Sequence, residues 1–156
     1  MSESFLVIYI DGDACPVRNE VYRVAERHQL LTRVVCNSLI RIPDTFLVEL
    51  HLVSKDMDAA DNWIVEHVSA GDIVITTDIP LAARCLEKDA KVLGPNGKVL
   101  NDQSIGSALA MRNLMEDIRD SSELRQMHRP FGKQDRIKFL DALEKTVQMA
   151  KRSAHS

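Results

Sequence analysis

The sequence predicts an α/β fold of three layers, in which helices cover both faces of a mostly parallel central sheet. Apolar runs typical of buried strands alternate along the chain with segments whose apolar residues recur at helical spacing. The length of 156 residues and the hydrophobic fraction of 45% suit one globular domain. We therefore expect a single domain over 1–152, with C-terminal helices over 103–152 that pack on it or extend it.

Five runs of the sequence are predicted to be strands. The first, FLVIYI, is continuously apolar, as a strand buried on both faces requires. The runs TRVVC, DIVITT and the short KVL are also typical of strands. Between TRVVC and DIVITT, residues 46–53 alternate between apolar and polar side chains enough to form a further strand. The predicted strands cover residues 5–10, 32–36, 46–53, 72–77 and 91–93.

Helices are predicted where apolar residues recur at helical spacing between and after the strands. Pro16 and Pro80 suit the first turns of two helices, because the N–H group that proline lacks would have no partner there. Gly71 suits the end of the second helix as a cap. The predicted helices cover residues 16–28, 56–69, 80–87, 103–119 and 134–152.

Aspartates fall where the predicted strands end. Asp11 ends the first strand, Asp13 follows two residues later, and Asp78 ends the fourth strand. Asp58 and Asp61 lie near the start of the intervening helix, and their spacing of three puts them on one face. In sheets of this kind ligands bind outside the carboxyl ends of the strands. We therefore expect these acids to converge at one edge of the sheet.

Clustered carboxylates repel one another unless a cation neutralises them. Oxygen ligands without a partnering cysteine or histidine suit Mg²⁺ or Mn²⁺, and such a site supports metal-assisted phosphoryl chemistry. We expect all five aspartates to be metal ligands, and Asp11, Asp13, Asp61 and Asp78 to be catalytic. Structural interpretations are also open: Asp13 could stabilise a turn, and Asp58, Asp61 or Asp78 could cap or complement a helix.

Basic and hydroxyl side chains are candidates for holding the phosphates of a substrate. Guanidinium and ammonium groups pair well with phosphate oxygens, although a solvated basic helix explains the same charges. Thr76 and Thr77 could orient a water or a phosphate, or could serve only as β-branched strand residues. The expected substrate-binding residues are Thr77, Arg84, Arg129, Lys133 and Arg136.

Composition and missing motifs exclude several classes of protein. The net charge of −3 excludes a protein that coats nucleic acid by bulk charge alone. The three cysteines form no CxxC pair, and the six glycines form no phosphate-binding loop. We expect Cys15 to be a buried packing residue. The first residues lack a secretory pattern and no apolar run is long enough for a bilayer, so we expect a cytoplasmic protein without membrane contacts.

Four segments carry a family resemblance: IDGDACPVRNEV, DAADNWIVEHV, GDIVITTDIPLAARCLEKDAKVLGPNG and RPFGKQDRIKF. Over residues 8–140 the chain resembles the YaiI/YqxD family of uncharacterised bacterial proteins, which is grouped with PIN-like domains. The resemblance implies the fold of many metal-dependent ribonucleases, with metal carboxylates on Asp11, Asp78 and either Asp61 or Asp58, and with Asp13 as an additional ligand. The crowded DGDACP turn and the basic extension after Gly97 depart from a minimal PIN domain.

Three functional hypotheses follow. The first is a Mg²⁺- or Mn²⁺-dependent phosphodiesterase, specifically a ribonuclease acting on RNA. The second is a haloacid-dehalogenase-like phosphatase, in which Asp11 is the nucleophile, Asp13 the general acid and Lys88 or Lys91 the required lysine. The third is a non-catalytic RNA-binding or scaffold domain. A homo-oligomer is compatible with each of them.

Overall fold

A computed structural model describes residues 6–12, 15–56, 58–106 and 132–154 of the chain. The strands of this part are β1 (Val7–Asp11), β2 (Leu31–Cys36), β3 (Val48–Leu52), β4 (Ile73–Ile75), β5 (Lys91–Leu93) and β6 (Val99–Leu100). The helices are α1 (Arg18–His28), α2 (Ala59–His67), α3 (Ile79–Glu87) and α4 (Lys133–Ala154), and residues 102–106 are also helical.

The strands form one sheet in the order β3-β2-β1-β4-β5-β6. All neighbouring pairs are parallel except β5 and β6, which are antiparallel. The carboxyl ends of β1 and β4 therefore meet at the same edge, with Ile10 opposite Ile75. The predicted α/β fold with a mostly parallel sheet is confirmed.

Both faces of the sheet are buried, which explains why the central strands are continuously apolar. In β1, Ile8 and Ile10 belong to one buried cluster and Tyr9 belongs to the other, and these three residues are at most 1% exposed. Helices α1 and α4 complete the first cluster, whereas α2 and α3 complete the second. The sheet thus lies between two helical layers.

Helix α4 packs on the sheet through one apolar face. Phe139, Leu143 and Val147 recur at helical spacing and are fully buried in the cluster that contains Ile8. Within the same stretch of α4, Glu144 accepts a hydrogen bond from Arg27 Nη1 of α1 at 2.9 Å. The predicted C-terminal helix therefore contributes core residues to the fold.

The predicted elements differ from the observed ones mainly at their ends. The third strand begins at Val48 because Phe46 lies exposed in the preceding loop. The second helix begins at Ala59, since Asp56 instead forms a local turn with Ser54. Strand β6 was not predicted, because two residues after a tight turn show no periodicity. Most of the predicted helix over 103–119 lies outside the described residues.

No helix in the described ranges combines the length and the apolar character that crossing a bilayer requires.

Candidate functional site

Asp11 ends β1 at the carboxyl edge of the sheet. The chain turns immediately after it, and this turn requires glycine: a Cβ on Gly12 would lie 2.9 Å from Val34 Cγ1 and 3.2 Å from the Val35 carbonyl oxygen. The close approach of Gly12 to β2 fixes the direction in which the chain leaves the strand. Asp11 Oδ2 accepts a hydrogen bond of 3.0 Å from Thr76 Oγ1.

Thr76 is a buried link between two of the predicted acids. Its hydroxyl donates to Asp11 and accepts a hydrogen bond of 3.0 Å from the backbone N–H of Asp78. Asp78 Oδ1 in turn accepts from the Leu81 N–H at 3.0 Å and so caps α3. The structural interpretation of Asp78 as a helix cap is therefore confirmed. Its other oxygen, Oδ2, accepts no hydrogen bond within the described residues.

Asp58 and Asp61 approach this edge from α2. Asp58 is the residue before the helix, but its side chain makes no capping hydrogen bond. Asp61 lies one turn later, and burial raises its pKa from the ordinary 3.8 to about 6. The negative charges of Asp78, Asp11 and Asp58 contribute to this rise, in that order. The four aspartates thus form one electrostatic unit, which we call the acidic site; Asp13 lies outside the described residues.

The chemistry of the acidic site fits a hard divalent cation. Its donors are carboxylate oxygens, and the pKa of Asp61 is raised first by burial and then by the negative charges of its neighbours. Within residues 6–12, 15–56, 58–106 and 132–154, no three acidic, histidine or cysteine side chains are already gathered tightly enough to enclose one ion. A cation bound here would have to draw the carboxylates of the four aspartates closer together than they lie in this structure.

A cavity of about 450 Å³ adjoins the acidic site. It lies at the carboxyl ends of β4 and β5, and Thr76, which binds Asp11, is one of its lining residues. Thr77, an expected substrate-binding residue, also lines it and is exposed. The strand ends thus bring a carboxylate cluster and a ligand-sized cavity together.

The other expected substrate-binding residues lie in different surroundings. Arg84 of α3 donates to Asn62 Oδ1 at 3.0 Å and is the cation that lowers the pKa of Asp61, so it lies beside the acidic site. Arg136 donates to the Pro16 carbonyl oxygen at 2.8 Å and thereby attaches α4 to the segment after Asp11. Lys133 is exposed at the start of α4, and Arg129 lies outside the described residues.

Cys15 and the two lysines considered for the phosphatase hypothesis are not placed as reactive groups. Cys15 is buried, and this burial raises its pKa to about 11, as suits a packing thiol. Lys91 begins β5 at the amino edge of the sheet, opposite the acidic site, and Lys88 donates to the Val65 carbonyl oxygen beyond the end of α3. The phosphatase hypothesis therefore lacks a lysine near Asp11 at either of these positions.

The roles of two residues are not evident in the sequence. Thr76 is predicted as a ligand of water or phosphate or as a β-branched strand residue, whereas its hydroxyl donates to Asp11 and accepts from the Asp78 N–H. Lys98 lines the cavity, yet it follows the Pro95-Asn96-Gly97 turn and looked like an ordinary loop lysine. Only the antiparallel return of β6 brings it to the site.

Comparisons with known proteins agree with the resemblance seen in the segments. The family model described as "Uncharacterized BCR, YaiI/YqxD family" matches residues 9–149. A UPF0178 protein of Gluconacetobacter diazotrophicus is 53% identical over 147 residues, which cover 94% of this chain and 96% of that protein. A UPF0178 protein of Rhodopseudomonas palustris strain TIE-1 is 47% identical over 155 residues, covering 99% and 98% respectively. No solved structure matches the chain significantly. The chain therefore belongs to the uncharacterised bacterial YaiI/YqxD family.

Proposed function

We propose that this protein is a Mg²⁺- or Mn²⁺-dependent phosphodiesterase, specifically a ribonuclease of the PIN-like type. The observation that carries the proposal is the shared electrostatics of the acidic site. Asp11, Asp61 and Asp78 come from separate segments of the chain, yet the pKa of Asp61 responds to the other two. A fold keeps such repulsive charges together at a cost to its stability, which a bound cation would offset.

The residues of the site have distinct roles in this mechanism. Asp11, Asp61 and Asp78 hold the cation, and Asp58, with Asp13 after the turn, assists them. When bound, the cation supplies Lewis-acid stabilisation of the phosphoryl oxygens and a water of lowered pKa. Thr76 is a positioning residue, because its hydroxyl orients Asp11 and fixes the backbone of Asp78. Arg84 supplies a positive charge for a substrate phosphate beside Asp61.

A cytoplasmic RNA-processing enzyme is compatible with the cysteine chemistry. Cys15, Cys36 and Cys85 are buried and form no disulfide among the described residues, so the described fold does not depend on an oxidising compartment. The expected partner is RNA or another phosphodiester, held by the basic residues of the C-terminal region.

The test is cleavage of end-labelled single-stranded RNA and DNA by the purified protein with Mg²⁺ or Mn²⁺. We expect cleavage by the native protein, and loss of cleavage in Asp11→Asn and Asp61→Asn. Asp44→Asn is the matched control, because Asp44 is an exposed aspartate in the loop between β2 and β3. Thermal melts establish that the variants are folded.

Two results would count against the proposal. Cleavage at the native rate in Asp61→Asn would assign the activity to another site or to a contaminating nuclease. RNA binding without turnover in either metal would favour the alternative of a non-catalytic RNA-binding domain, in which the aspartates hold a structural ion.

A further inference from the structure

The cavity beside the acidic site has apolar walls and a polar rim. Ile79, Pro95 and Leu100 contribute to the walls. The rim includes Thr77 and Lys98, both of which are exposed. This combination differs from the acidic site itself, which offers only negatively charged oxygens, so the two regions suit different parts of one ligand.

The rim of the cavity offers hydrogen-bond donors. Thr77 Oγ1, Asn96 Nδ2 and Lys98 Nζ donate no hydrogen bond to another described residue. Asn96 Oδ1, in contrast, accepts a hydrogen bond of 3.0 Å from the Lys98 backbone N–H. A ligand that pairs with this rim therefore presents acceptor atoms to it. A simple acyl chain would leave the donors unpaired, and a simple sugar would leave the apolar walls uncovered.

We propose that this cavity binds the base and sugar of one nucleotide, with the adjoining phosphate directed to the acidic site. The volume of about 450 Å³ lies within the range of about 300–1,000 Å³ typical of small-molecule sites. In this arrangement the flat base packs against the apolar walls, and its ring nitrogens or carbonyl oxygens accept from the rim donors. Thr76 connects the two regions, since it lines the cavity and binds Asp11. The inference rests on the proposed function, because it defines the substrate class of the same site.

The experiment measures binding of the base and sugar without metal or turnover. Adenosine, guanosine, cytidine and uridine are titrated into the full chain in EDTA, with ribose as the matched ligand that lacks a base, and amide chemical shifts are followed by NMR; nucleosides are used because the metal-free acidic site would repel a phosphate. We expect at least one nucleoside to bind more than 10-fold tighter than ribose, with the largest shifts at Thr77, Ile79 and Lys98. Lys98→Glu weakens binding at least 10-fold, whereas Lys91→Glu at the opposite edge changes it less than twofold.

The outcomes separate this inference from the proposed function. Equal binding of ribose and the nucleosides, shifts located elsewhere, or no binding up to the solubility limit of each nucleoside would overturn the cavity assignment, even if metal-dependent RNA cleavage is observed. Localised nucleoside binding without cleavage of RNA in any metal would support the cavity assignment and contradict the phosphodiesterase.

A second observation concerns the outer edge of β3 and is independent of the acidic site. The Leu47 carbonyl accepts from Thr32 of β2, and the Val53 N–H donates to Cys36 of β2. Because backbone groups alternate along a strand, the odd-numbered residues bond β2, whereas Leu50 and Leu52 direct their N–H and C=O groups away from it. No described strand pairs with that side.

The strand sequence Val-Glu-Leu-His-Leu is complementary to itself when reversed. In an antiparallel pairing of two copies centred on Leu50, each Glu49 lies opposite His51 of the other copy. Each Val48 lies opposite Leu52 of the other copy. The backbone follows the same register, because the two Leu50 residues exchange both of their hydrogen bonds and each Leu52 N–H reaches the other Val48 carbonyl. A carboxylate thus faces an imidazole, and apolar residues face one another. Within the single chain Glu49 Oε1 already contacts Arg33 Nε at 3.3 Å and His51 Nε2 at 2.9 Å, and the pairing would add the contact across the two strands.

We also propose that two copies of this chain pair through β3 in that register and form one continuous sheet. Large apolar side chains near the strand contribute to the contact, since Leu39, Phe46 and Leu52 are 80%, 84% and 53% exposed in the single chain. The second copy is the occupant that the self-complementary order of residues along the strand favours.

Cross-linking tests the register directly. Cα atoms of a hydrogen-bonded antiparallel pair lie about 5.5 Å apart, within disulfide range. Leu50→Cys is therefore expected to form a covalent dimer on mild oxidation, whereas Leu52→Cys, which faces Val48, does not. Sedimentation equilibrium is expected to give a dimer that His51→Glu weakens about 10-fold and that the swap Glu49→His with His51→Glu restores. A native protein that remains monomeric at 1 mM, or a dimer unaffected by His51→Glu, would overturn the pairing.

Discussion

The hydroxyl of Thr76 lies 3.0 Å from Asp11 Oδ2 and donates a hydrogen bond to it. This contact joins the end of β4 to the end of β1, and Thr76 is only 2% exposed. Thr76 Oγ1 also accepts a hydrogen bond from the Asp78 N–H, so one buried side chain sets the relative position of two aspartates. The geometry of the acidic site therefore depends on a residue that does not itself carry charge.

Replacing Thr76 with valine keeps the shape of the side chain and removes both hydrogen bonds. We expect Thr76→Val to lower the free energy of unfolding by about 2 kcal/mol, because Asp11 and the Asp78 N–H lose a buried partner. Mn²⁺ affinity is expected to fall about 10-fold, as for other residues that orient metal ligands. Thermal melts and calorimetry measure the two effects. Thr77→Val is the control; a similar loss in both variants would contradict the positioning role.

The raised pKa of Asp61 predicts how stability changes with pH. The folded value is about 6 and the ordinary value is 3.8, so between these pH values the folded protein holds a proton that the unfolded chain has lost. The free energy of unfolding therefore falls as pH rises from about 4 to 6, and the penalty is fully present above pH 6.

Asp61→Asn is expected to remove this penalty. In EDTA at pH 7 the variant should be more stable than the native protein by on the order of 1 kcal/mol, a value reduced for solvent screening because Asp61 is only partly buried. Near pH 4 the two melting temperatures should converge. Melts across this range in parallel with Asp44→Asn test the prediction, and a native protein that is more stable than Asp61→Asn at pH 7 would refute it.

Asp78 combines a helix cap with a place in the acidic site, and two substitutions separate these roles. Asparagine retains a side-chain oxygen for the Leu81 N–H, whereas alanine removes it and should cost about 1 kcal/mol of stability. Both remove the negative charge, so both are expected to abolish Mn²⁺ binding and cleavage. Retention of Mn²⁺ binding in Asp78→Asn would leave the residue with a capping role alone.

The turn after Asp11 depends on the close approach of Gly12 to β2. In Gly12→Ala the new Cβ would meet Val34 Cγ1 at 2.9 Å, so we expect a loss of about 1–3 kcal/mol. Gly106→Ala is the control, because a Cβ at Gly106 meets no atom within 4 Å and alanine favours the helical conformation. Denaturant unfolding of both variants tests this; equal stability would show that the turn tolerates a side chain.

Much of this arrangement could be predicted from the sequence, because parallel strands end at one edge. That rule was enough to bring Asp11 and Asp78 together, and the spacing of Asp58 and Asp61 was enough to put both near the start of α2. The hydrogen bond from Thr76 to Asp11 could not be predicted from the sequence, because a buried threonine at a strand end is equally compatible with simple packing. Local periodicity also carries no information about contacts such as Arg136 with the Pro16 carbonyl, which join distant parts of the chain.

The most direct test of the central claim is a calorimetric titration of Mn²⁺ into the native protein, Asp61→Asn and Asp44→Asn at pH 5 and pH 7. The acidic site predicts saturable binding to the native protein and to Asp44→Asn at pH 7, and weaker binding at pH 5, where Asp61 with its pKa of about 6 is mostly protonated. Asp61→Asn is expected to lose this binding. No saturable binding to the native protein at pH 7, or equal binding to Asp61→Asn, would contradict a cation site formed by these aspartates.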